Sequence, residues 1–337
     1  MFRPSPLRRT LEAALRDVAA VRSDVRADAV RDLAHHAADA RAQVVGALQK
    51  ALSDEAGEVR SAAAVALADI GGIEALPSLL FAVEDEDSHV RQMALSAVGE
   101  LGDSRAKERL VRALTDERPE VRFQAIIAFS RIAPDEAMDA LAEAFADSDP
   151  NIRYIAVRCA EERALGTDPP ALLPLERMRQ LLGDADAAVR VAAAIVLARS
   201  GDRAGLPLLL EVVRSSLRTR EAEDEAAAIE LVGELGAEEA KPYLERRAFG
   251  FLGFGEDRFA WQAMVSLARM GHPRARARIV RDLGARSRDR RTLAVAAAGR
   301  ALLHEARPLI EAMRGDERRA DATAVDTALD TLRGPAP

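Results

Sequence analysis

Apolar residues recur along this chain at the spacing of an α-helix. Between residues 90 and 101, one helical face carries Val90, Ala94, Ala97, Val98 and Leu101. Gly102 follows where that helix should end, because glycine readily adopts the left-handed conformation that closes many helices. Leu110, Val111 and Leu114 then predict the first helix of the next pair. The pattern predicts helical hairpins throughout and no strands.

A polar phrase repeats with the same period. Asp, four residues, Val or Ile, and then Arg occur five times in succession, at Asp54/Arg60, Asp85/Arg91, Asp116/Arg122, Asp147/Arg153 and Asp184/Arg190. We call the Val or Ile the anchor, and four successive anchors are 31 residues apart: Val59, Val90, Val121 and Ile152. A period of about 20 to 50 residues predicts a stacked array of similar units and not one globular core.

Weaker anchors extend the array in both directions. One precedes the regular repeats at Val25, and four follow Val189, at Asp224, Phe259, Arg290 and Ala322. About ten repeats result, which predicts an all-α solenoid built of helical hairpins. We expect a single solenoid over residues 1–337, with a diverged N-terminal cap (1–46), regular repeats (47–203) and diverged C-terminal repeats (204–334).

Glycine and proline support the same division. Five glycines lie twelve residues after an anchor, where a helix should end: Gly71, Gly102, Gly201, Gly236 and Gly271. Three prolines lie six residues beyond three of these glycines: Pro77, Pro207 and Pro242. We expect each proline in the first turn of a helix, where its missing amide costs nothing.

Composition limits the possible functions. Hydrophobic residues make up 49% of the chain and aromatic residues 4%, so Ala, Leu, Val and Ile must fill the core. The single cysteine, Cys159, cannot form an internal disulfide and fits a reducing compartment. No apolar run follows the N-terminal residues, so we expect no secretory signal, no membrane span and a cytoplasmic location. The many arginines and only three lysines suggest a GC-rich bacterial genome.

The charge is unevenly distributed. The net charge of -7 argues against a general nucleic-acid binder, but residues 273–337 contain fourteen Arg against nine Asp and Glu. Weak nucleic-acid binding through these basic C-terminal repeats is therefore one alternative function. Residues 221–239 contain eight acids and no base, so opposite charges could also support self-association.

The repeated Asp and Arg have a structural interpretation. Asp before a helix can accept free amide hydrogens, and Arg can pair with an Asp of the adjacent repeat. We expect an Asp/Arg ladder along the stack, formed by Asp54, Arg60, Asp85, Arg91, Asp116, Arg122, Asp147, Arg153, Asp184 and Arg190.

Two stretches resemble a known family. VRSAAAVALADIG at residues 59–71 and VRQMALSAVGELGD at residues 90–103 resemble HEAT repeats, most closely the PBS-lyase HEAT-like subclass. The resemblance implies a right-handed α-α superhelix of the armadillo type, with second helices lining a concave face that commonly binds proteins. The subclass includes bilin lyases and iron-dependent hydroxylases, so an enzyme of either kind is a second alternative.

The residue types present favour a non-enzymatic protein. Hydroxylases of this shape use several His-Glu pairs to hold two metals, whereas this chain has one, His304-Glu305, which we expect at a solvated helix end. No phosphate loop, nucleophile elbow or zinc-ligand spacing occurs in the sequence. We therefore expect no catalytic, cofactor-binding or metal-binding residues, and a non-catalytic scaffold for an unknown protein partner.

The concave face supplies candidate partner-binding residues. Positions two and one before the anchor, and two, three and six after it, should point toward this face. These positions give nine candidates in three regular repeats, and Trp261 lies two residues after the weaker anchor Phe259. The candidates are His89, Gln92, Met93, Phe123, Gln124, Ile127, Tyr154, Ile155, Arg158 and Trp261. Aromatic residues and Met beside Arg and Gln are typical of protein-binding surfaces. The alternative is that a tighter superhelix buries these side chains between repeats.

The segment from Phe249 to Gly255 alternates Phe with Gly and interrupts the repeats. It could dock a partner, or it could fold over Trp261 and seal the joint between repeats.

Overall fold

A computed structural model describes residues 8–166, 173–250 and 257–333. Within these ranges the chain forms twenty α-helices and no strand. Contacts divide the chain into two units, residues 1–173 and 174–337. Residues 251–256 lie outside the described ranges, and they include five of the seven residues from Phe249 to Gly255. The role predicted for this segment therefore stays a prediction.

Unit 1 contains five helical hairpins. Its helices are α1 (Leu11–Asp17), α2 (Ser23–Ala34), α3 (Ala37–Ala51), α4 (Gly57–Asp69), α5 (Leu76–Ala82), α6 (Ser88–Leu101), α7 (Lys107–Ala113), α8 (Pro119–Ile132), α9 (Ala137–Ala144) and α10 (Pro150–Gly166).

Unit 2 also contains five hairpins. Its helices are α11 (Leu175–Leu181), α12 (Ala187–Arg199), α13 (Leu206–Val213), α14 (Ala222–Glu234), α15 (Lys241–Phe249), α16 (Ala260–Arg269), α17 (Pro273–Asp282), α18 (Arg288–Arg300), α19 (Arg307–Glu311) and α20 (Ala322–Thr331). Ten hairpins in the described ranges confirm the number of repeats that the periodicity predicts.

Each unit is a two-layered stack. In unit 1 the second helices of the hairpins (α2, α4, α6, α8 and α10) pack closely against one another, while consecutive first helices (α3, α5, α7 and α9) make few mutual contacts. A stack whose second helices are close and whose first helices are splayed curves toward the second helices. The second helices of unit 1 therefore line its concave side, as the resemblance implies.

Small and branched residues fill the space between the layers. Each unit has its own continuous core, made almost entirely of Ala, Val, Leu and Ile. The anchors Val59, Val90, Val121, Ile152 and Val189 are all buried. Burial of this apolar face is the main stabilising contribution, at about 25 cal/mol per Å² of apolar surface.

The turn residues adopt the predicted conformations. All five glycines that follow an anchor by twelve residues have positive φ, between 61° at Gly236 and 79° at Gly201. Pro77, Pro207 and Pro242 each lie in the first turn of their helix. Both predictions are confirmed, because local backbone chemistry alone determines them.

The Asp/Arg ladder links successive hairpins of unit 1. Arg60 donates through Nε and Nη2 to both carboxylate oxygens of Asp85, at 2.8 and 2.7 Å. The same fork-to-fork pairing joins three further pairs: Arg26–Asp54, Arg91–Asp116 and Arg122–Asp147. These bidentate pairs are only slightly exposed, which strengthens a charged hydrogen bond.

Each ladder arginine also binds its own hairpin. Nη1 of Arg60 donates to the carbonyl oxygens of Asp54 and Glu55, at 2.9 and 3.1 Å. Arg153 and Arg190 hold the carbonyls at the same two positions of their own repeats. Sequence reasoning did not predict this second role, which fixes the turn before each second helix.

The repeated Asp acts one step earlier than predicted. Asp85 accepts the amide of Asp87, the N-cap residue, at 2.9 Å, and Asp184 accepts that of Asp186 at 2.8 Å. The cap itself is made by a different residue, since Asp87 accepts the amide of His89. The repeated spacing of the phrase thus builds a turn that positions the cap.

Candidate partner-binding face

The second helices of unit 1 present one continuous surface, which we call the second-helix face. It consists of the outward sides of α2, α4, α6, α8 and α10. Because the apolar side of each helix turns into the core, the residues between the buried positions point outward. Two hollows open on this face.

The first hollow has a volume of about 590 Å³ and lies over α2, α4 and α6. Of the predicted residues, His89 and Met93 line it. Val65 also lines it and is 40% exposed, which is high for a Val in a helix of a packed unit. Arg31, His35 and Asp69 supply its polar side chains.

The second hollow has a volume of about 430 Å³ and lies over α8 and α10. The predicted residues Ile127, Ile155 and Arg158 line it, with Ser130, Arg131, Cys159, Glu162 and Arg163. Arg158 donates to Glu161 at 2.7 Å, so this arginine is held against its own helix. Two aliphatic side chains with charged neighbours fit the apolar centre and polar rim of a protein-binding surface.

The cysteine of the second hollow is an unreactive thiol. Burial raises the pKa of Cys159 to about 11, although a hydrogen bond with Ser130 acts in the opposite direction. A thiol of this kind carries little thiolate at neutral pH. Cys159 therefore packs in the core. It lies seven residues after the anchor Ile152, where other repeats carry Ala66, Ala97, Ala128 and Val196.

Tyr154 does not point into either hollow, contrary to the prediction. It is only 8% exposed and belongs to the buried part of α10. Its position, two residues after the anchor, is also buried at Ala27, Ser61 and Val191 and half-buried at Gln92 and Phe123. This side of each second helix faces the neighbouring second helix, so the position contributes mostly to packing. Gln124, one residue further along, is half-buried.

Trp261 lies in unit 2, on α16, and is half-buried. It lines a separate cavity of about 780 Å³ with Phe249, Met264 and four arginines: Arg258, Arg274, Arg278 and Arg290. Most of these cations have internal partners. Arg278 and Arg290 both pair with the buried Asp282, and Arg274 stacks over the Phe249 ring at 4.1 Å.

Other arginines of the basic C-terminal segment are also engaged within unit 2. Arg276 pairs with Glu305 at 2.7 Å, and Arg291 donates to the carbonyls of Arg318 and Arg319. Arginines committed in this way are less available to bind phosphates.

His304 is not at a solvated helix end, contrary to the prediction. It begins a short 3-10 turn, is half-buried, and its Nε2 atom is buried with no hydrogen-bond partner among the described residues.

Sequence reasoning missed several residues of the two hollows. Val65 and Arg31 occupy the position six after the anchors Val59 and Val25, which is the position of Ile127 and Arg158. Applying the same rule to the first two repeats would have found both. Ser130 and Arg163 lie nine and eleven residues after their anchors, near the ends of α8 and α10. The positions used for the prediction extend only six residues beyond the anchor.

The family model for HEAT repeats matches residues 9–88, 79–161 and 144–226, which together span more than half of the chain. The chain belongs to the HEAT-repeat family. HEAT repeats generally mediate interactions between proteins. A search of curated proteins by sequence gave no match.

Several solved structures are similar to this chain. The Escherichia coli protein YibA is 20% identical, with a TM-score of 0.57 over 77% of this chain and 93% of its own. The complex of CpcE and CpcF of phycocyanin lyase from Nostoc is also 20% identical, with a TM-score of 0.45 over 73% of this chain and 97% of its own. An engineered protein aligns over 96% of this chain and 98% of its own, at 19% identity and a TM-score of 0.46.

Two further properties bear on the HEAT-repeat units. In the part of the chain that the structure describes, no group of three or more His, Cys, Asp or Glu side chains is placed to hold a metal ion. Over the same residues, no helix is long and apolar enough to span a lipid bilayer.

Proposed function

We propose that this protein is a bacterial, cytoplasmic, non-catalytic adaptor whose second-helix face binds a segment of another protein. One observation carries the proposal. Four successive second helices each place an apolar side chain on the hollows of this face: Val65, Met93, Ile127 and Ile155. Water solvates such a line poorly, so covering it with the apolar side of a partner is favourable.

The chemistry of the hollows supports binding in preference to catalysis. The pKa of the one thiol is raised, and the arginine beside it is paired within its own helix. A nucleophile needs the opposite arrangement, with a lowered pKa or an adjacent base. Membership of the HEAT-repeat family also supports an adaptor.

The proposal is tested with neutral substitutions. Val65→Gln/Ile127→Gln removes apolar surface from both hollows without changing charge. Phe81→Gln is the matched control, because Phe81 is 73% exposed on the first helix α5, in the opposite layer. Each protein captures partners from a native lysate, and circular dichroism and thermal melting verify folding.

We expect the double variant to lose, by about tenfold or more, a partner that the wild type and Phe81→Gln both retain. Equal capture by all three proteins would show that the second-helix face is not the binding surface. Loss only in Phe81→Gln would assign binding to the first-helix layer.

A further inference from the structure

The acid excess of the chain is concentrated in the unit that carries the two hollows. Residues 1–173 contain 21 Lys and Arg against 30 Asp and Glu, a net charge of -9. Residues 174–337 contain 27 against 25, a net charge of +2. Unit 1 as a whole therefore attracts cationic partners, and the position of its exposed acids decides which face they meet.

The Asp/Arg ladder determines where this negative charge is displayed. Each ladder arginine neutralises one Asp, but the glutamate that follows that Asp stays in solvent: Glu55, Glu86 and Glu117 are 86, 88 and 80% exposed. Glu55 and Glu86 approach only an arginine that is already paired, at 3.2 and 3.5 Å, and Glu117 lies 3.8 Å from the exposed Arg118.

Three more exposed acids lie at the same edge of the face. Glu58, Asp87 and Glu120 lie at or beside the first turns of α4, α6 and α8. We call these six residues the acidic rim: Glu55, Glu58, Glu86, Asp87, Glu117 and Glu120. The opposite edge, where the second helices end, carries mixed charges at His35, Asp69, Glu100, Arg131 and Glu162.

Acids at helix N-termini also favour the helices themselves, so the rim alone identifies no ligand. The second observation is the apolar line beside it, which passes through both hollows. A partner that covers the line and neutralises the rim needs one apolar side and one basic flank.

The spacing of the apolar line distinguishes a helix from an extended chain. Packed helices lie about 8–10 Å apart, and the line alternates between six residues after the anchor (Val65, Ile127) and three (Met93, Ile155). This alternation adds about 4.5 Å along the helices, so successive apolar contacts lie about 9–11 Å apart. Seven residues of an α-helix advance about 10.5 Å and return to the same side, which matches this spacing. Three residues of a strand advance about 10 Å but end on the opposite side, so a strand would place every second contact outward.

We infer that the occupant of the second-helix face is a basic amphipathic helix of a partner protein, with apolar residues at a seven-residue interval and Lys or Arg along the flank that meets the acidic rim. This inference rests on the proposed function, because it specifies the segment that the same face binds. Four second helices span about 30 Å, which corresponds to about 20 residues of partner helix.

Synthetic peptides of about 21 residues test this on the full-length protein by fluorescence anisotropy. The first peptide has Leu at the seven-residue interval and Lys on one flank. The second replaces every Lys with Glu. The third keeps the composition of the first but contains two prolines that prevent a helix. Binding is measured at about 50 mM and about 300 mM salt, because charge pairing weakens with screening.

Two protein variants separate the position of the charge from its amount. Glu55→Gln/Glu86→Gln/Glu117→Gln neutralises three residues of the acidic rim. Glu108→Gln/Asp139→Asn/Glu143→Gln removes three exposed acids from the first helices α7 and α9 and changes the net charge equally.

We expect the first peptide to bind the wild type about tenfold tighter than either other peptide, with affinity falling as salt rises. The rim variant should lose about tenfold in affinity, and the first-helix variant should bind like the wild type. Equal binding of the acidic or proline-containing peptide, equal loss in both variants, or no binding of the first peptide overturns the inference.

The Val65→Gln/Ile127→Gln variant distinguishes this failure from failure of the proposed function. If that variant loses lysate partners while the peptides show no charge preference, the face binds proteins but its occupant is not a basic helix. If the first peptide binds that variant as well as it binds the wild type, the basic helix does not occupy the second-helix face and the inference is wrong. If lysate capture by that variant is also unchanged, the proposed face is wrong as well.

Discussion

Leu302 adopts a left-handed backbone conformation at a position that glycine occupies in other repeats. Its φ is 54°, and it lies twelve residues after the anchor Arg290, as Gly102 lies twelve residues after Val90. A left-handed conformation costs a residue with a Cβ atom about 1–2 kcal/mol. The packing of the last hairpins must compensate for this cost.

Exchanging residues between the two positions measures that cost. We expect Leu302→Gly to raise the free energy of unfolding by up to about 1 kcal/mol, since relief of strain exceeds the lost contacts of a half-buried side chain. Gly102→Ala should lower it by about 1 kcal/mol, because nothing lies within 4 Å of the added methyl group and only φ opposes it. Urea denaturation followed by circular dichroism measures both. Destabilisation by Leu302→Gly would show that the side chain outweighs the strain.

Arg122 shows what one member of the Asp/Arg ladder contributes. It pairs with Asp147 at 2.8 and 2.9 Å and holds two carbonyls of its own hairpin, with 13% of its side chain exposed. We expect Arg122→Ala to lower the free energy of unfolding by about 3 kcal/mol, because it leaves a poorly solvated carboxylate unpaired. Arg118→Ala, four residues away and 59% exposed, should change it by less than about 0.5 kcal/mol. Similar midpoints for the two variants in urea would show that the ladder is not a stabilising feature.

Glycine also occupies a repeated position between helices. Gly99, Gly233 and Gly299 each lie nine residues after an anchor, where the second helix touches the next one. A Cβ atom on Gly99 would lie 2.9 Å from the Cβ and 3.0 Å from the Cα of Ala128. The close approach of α6 and α8 thus depends on the absence of a side chain.

We expect Gly99→Ala to destabilise unit 1 by about 1–3 kcal/mol, because one of the two helices must shift. Gly46→Ala is the control: Gly46 lies in α3 with nothing within 4 Å, so alanine there should stabilise by up to about 1 kcal/mol through helix propensity. Thermal melts of both variants give opposite shifts if steric contact decides the outcome. A stabilising Gly99→Ala would mean that the helices separate at little cost.

The sequence predicts the hairpins of this fold better than its surface. Periodicity, Gly102 and Pro77 locate helices because each depends on local backbone chemistry. The outward direction of Tyr154 was predicted incorrectly, because the exposure of a position between two helices depends on how closely they pack. No local pattern contains that distance.

Unit 2 shows a second limit of the repeat pattern. After Val189 the next two anchor spacings lengthen to 35 residues, and the Asp/Arg phrase does not recur beyond Arg190. The structure places the buried Arg247 of α15 against the Val213 carbonyl, the Ser215 hydroxyl and the carboxylate of Glu225. An arginine of a first helix thus makes contacts similar to those of a ladder arginine. No repeated sequence pattern predicts this role for Arg247.

Across unit 1 the ladder couples stability to pH. Burial is the largest single influence and would raise the pKa of Asp54 and of Asp147. The hydrogen bonds from Arg26 and Arg122, the backbone amides of Ala56 and Asp149 and the attraction of the arginine charge together outweigh burial and hold both pKa values below their ordinary 3.8. A lowered pKa in the folded state means that the unfolded chain binds protons first as the solution becomes acidic. The stabilisation from the Arg26–Asp54 and Arg122–Asp147 pairs is therefore complete above about pH 5 and is lost as the pH falls below about 4.

We expect the urea midpoint of the wild type to change little from about pH 7 to about pH 5 and to fall below about pH 4. The difference in unfolding free energy between the wild type and Arg122→Ala should narrow over the same acidic interval, because a protonated Asp147 no longer gains from the guanidinium. Urea titrations of both proteins at matched ionic strength measure this difference, with Arg118→Ala as the control that should follow the wild type at every pH. A difference that persists undiminished at about pH 3 would mean that Arg122 stabilises unit 1 through its two backbone carbonyls and not through its charge pair.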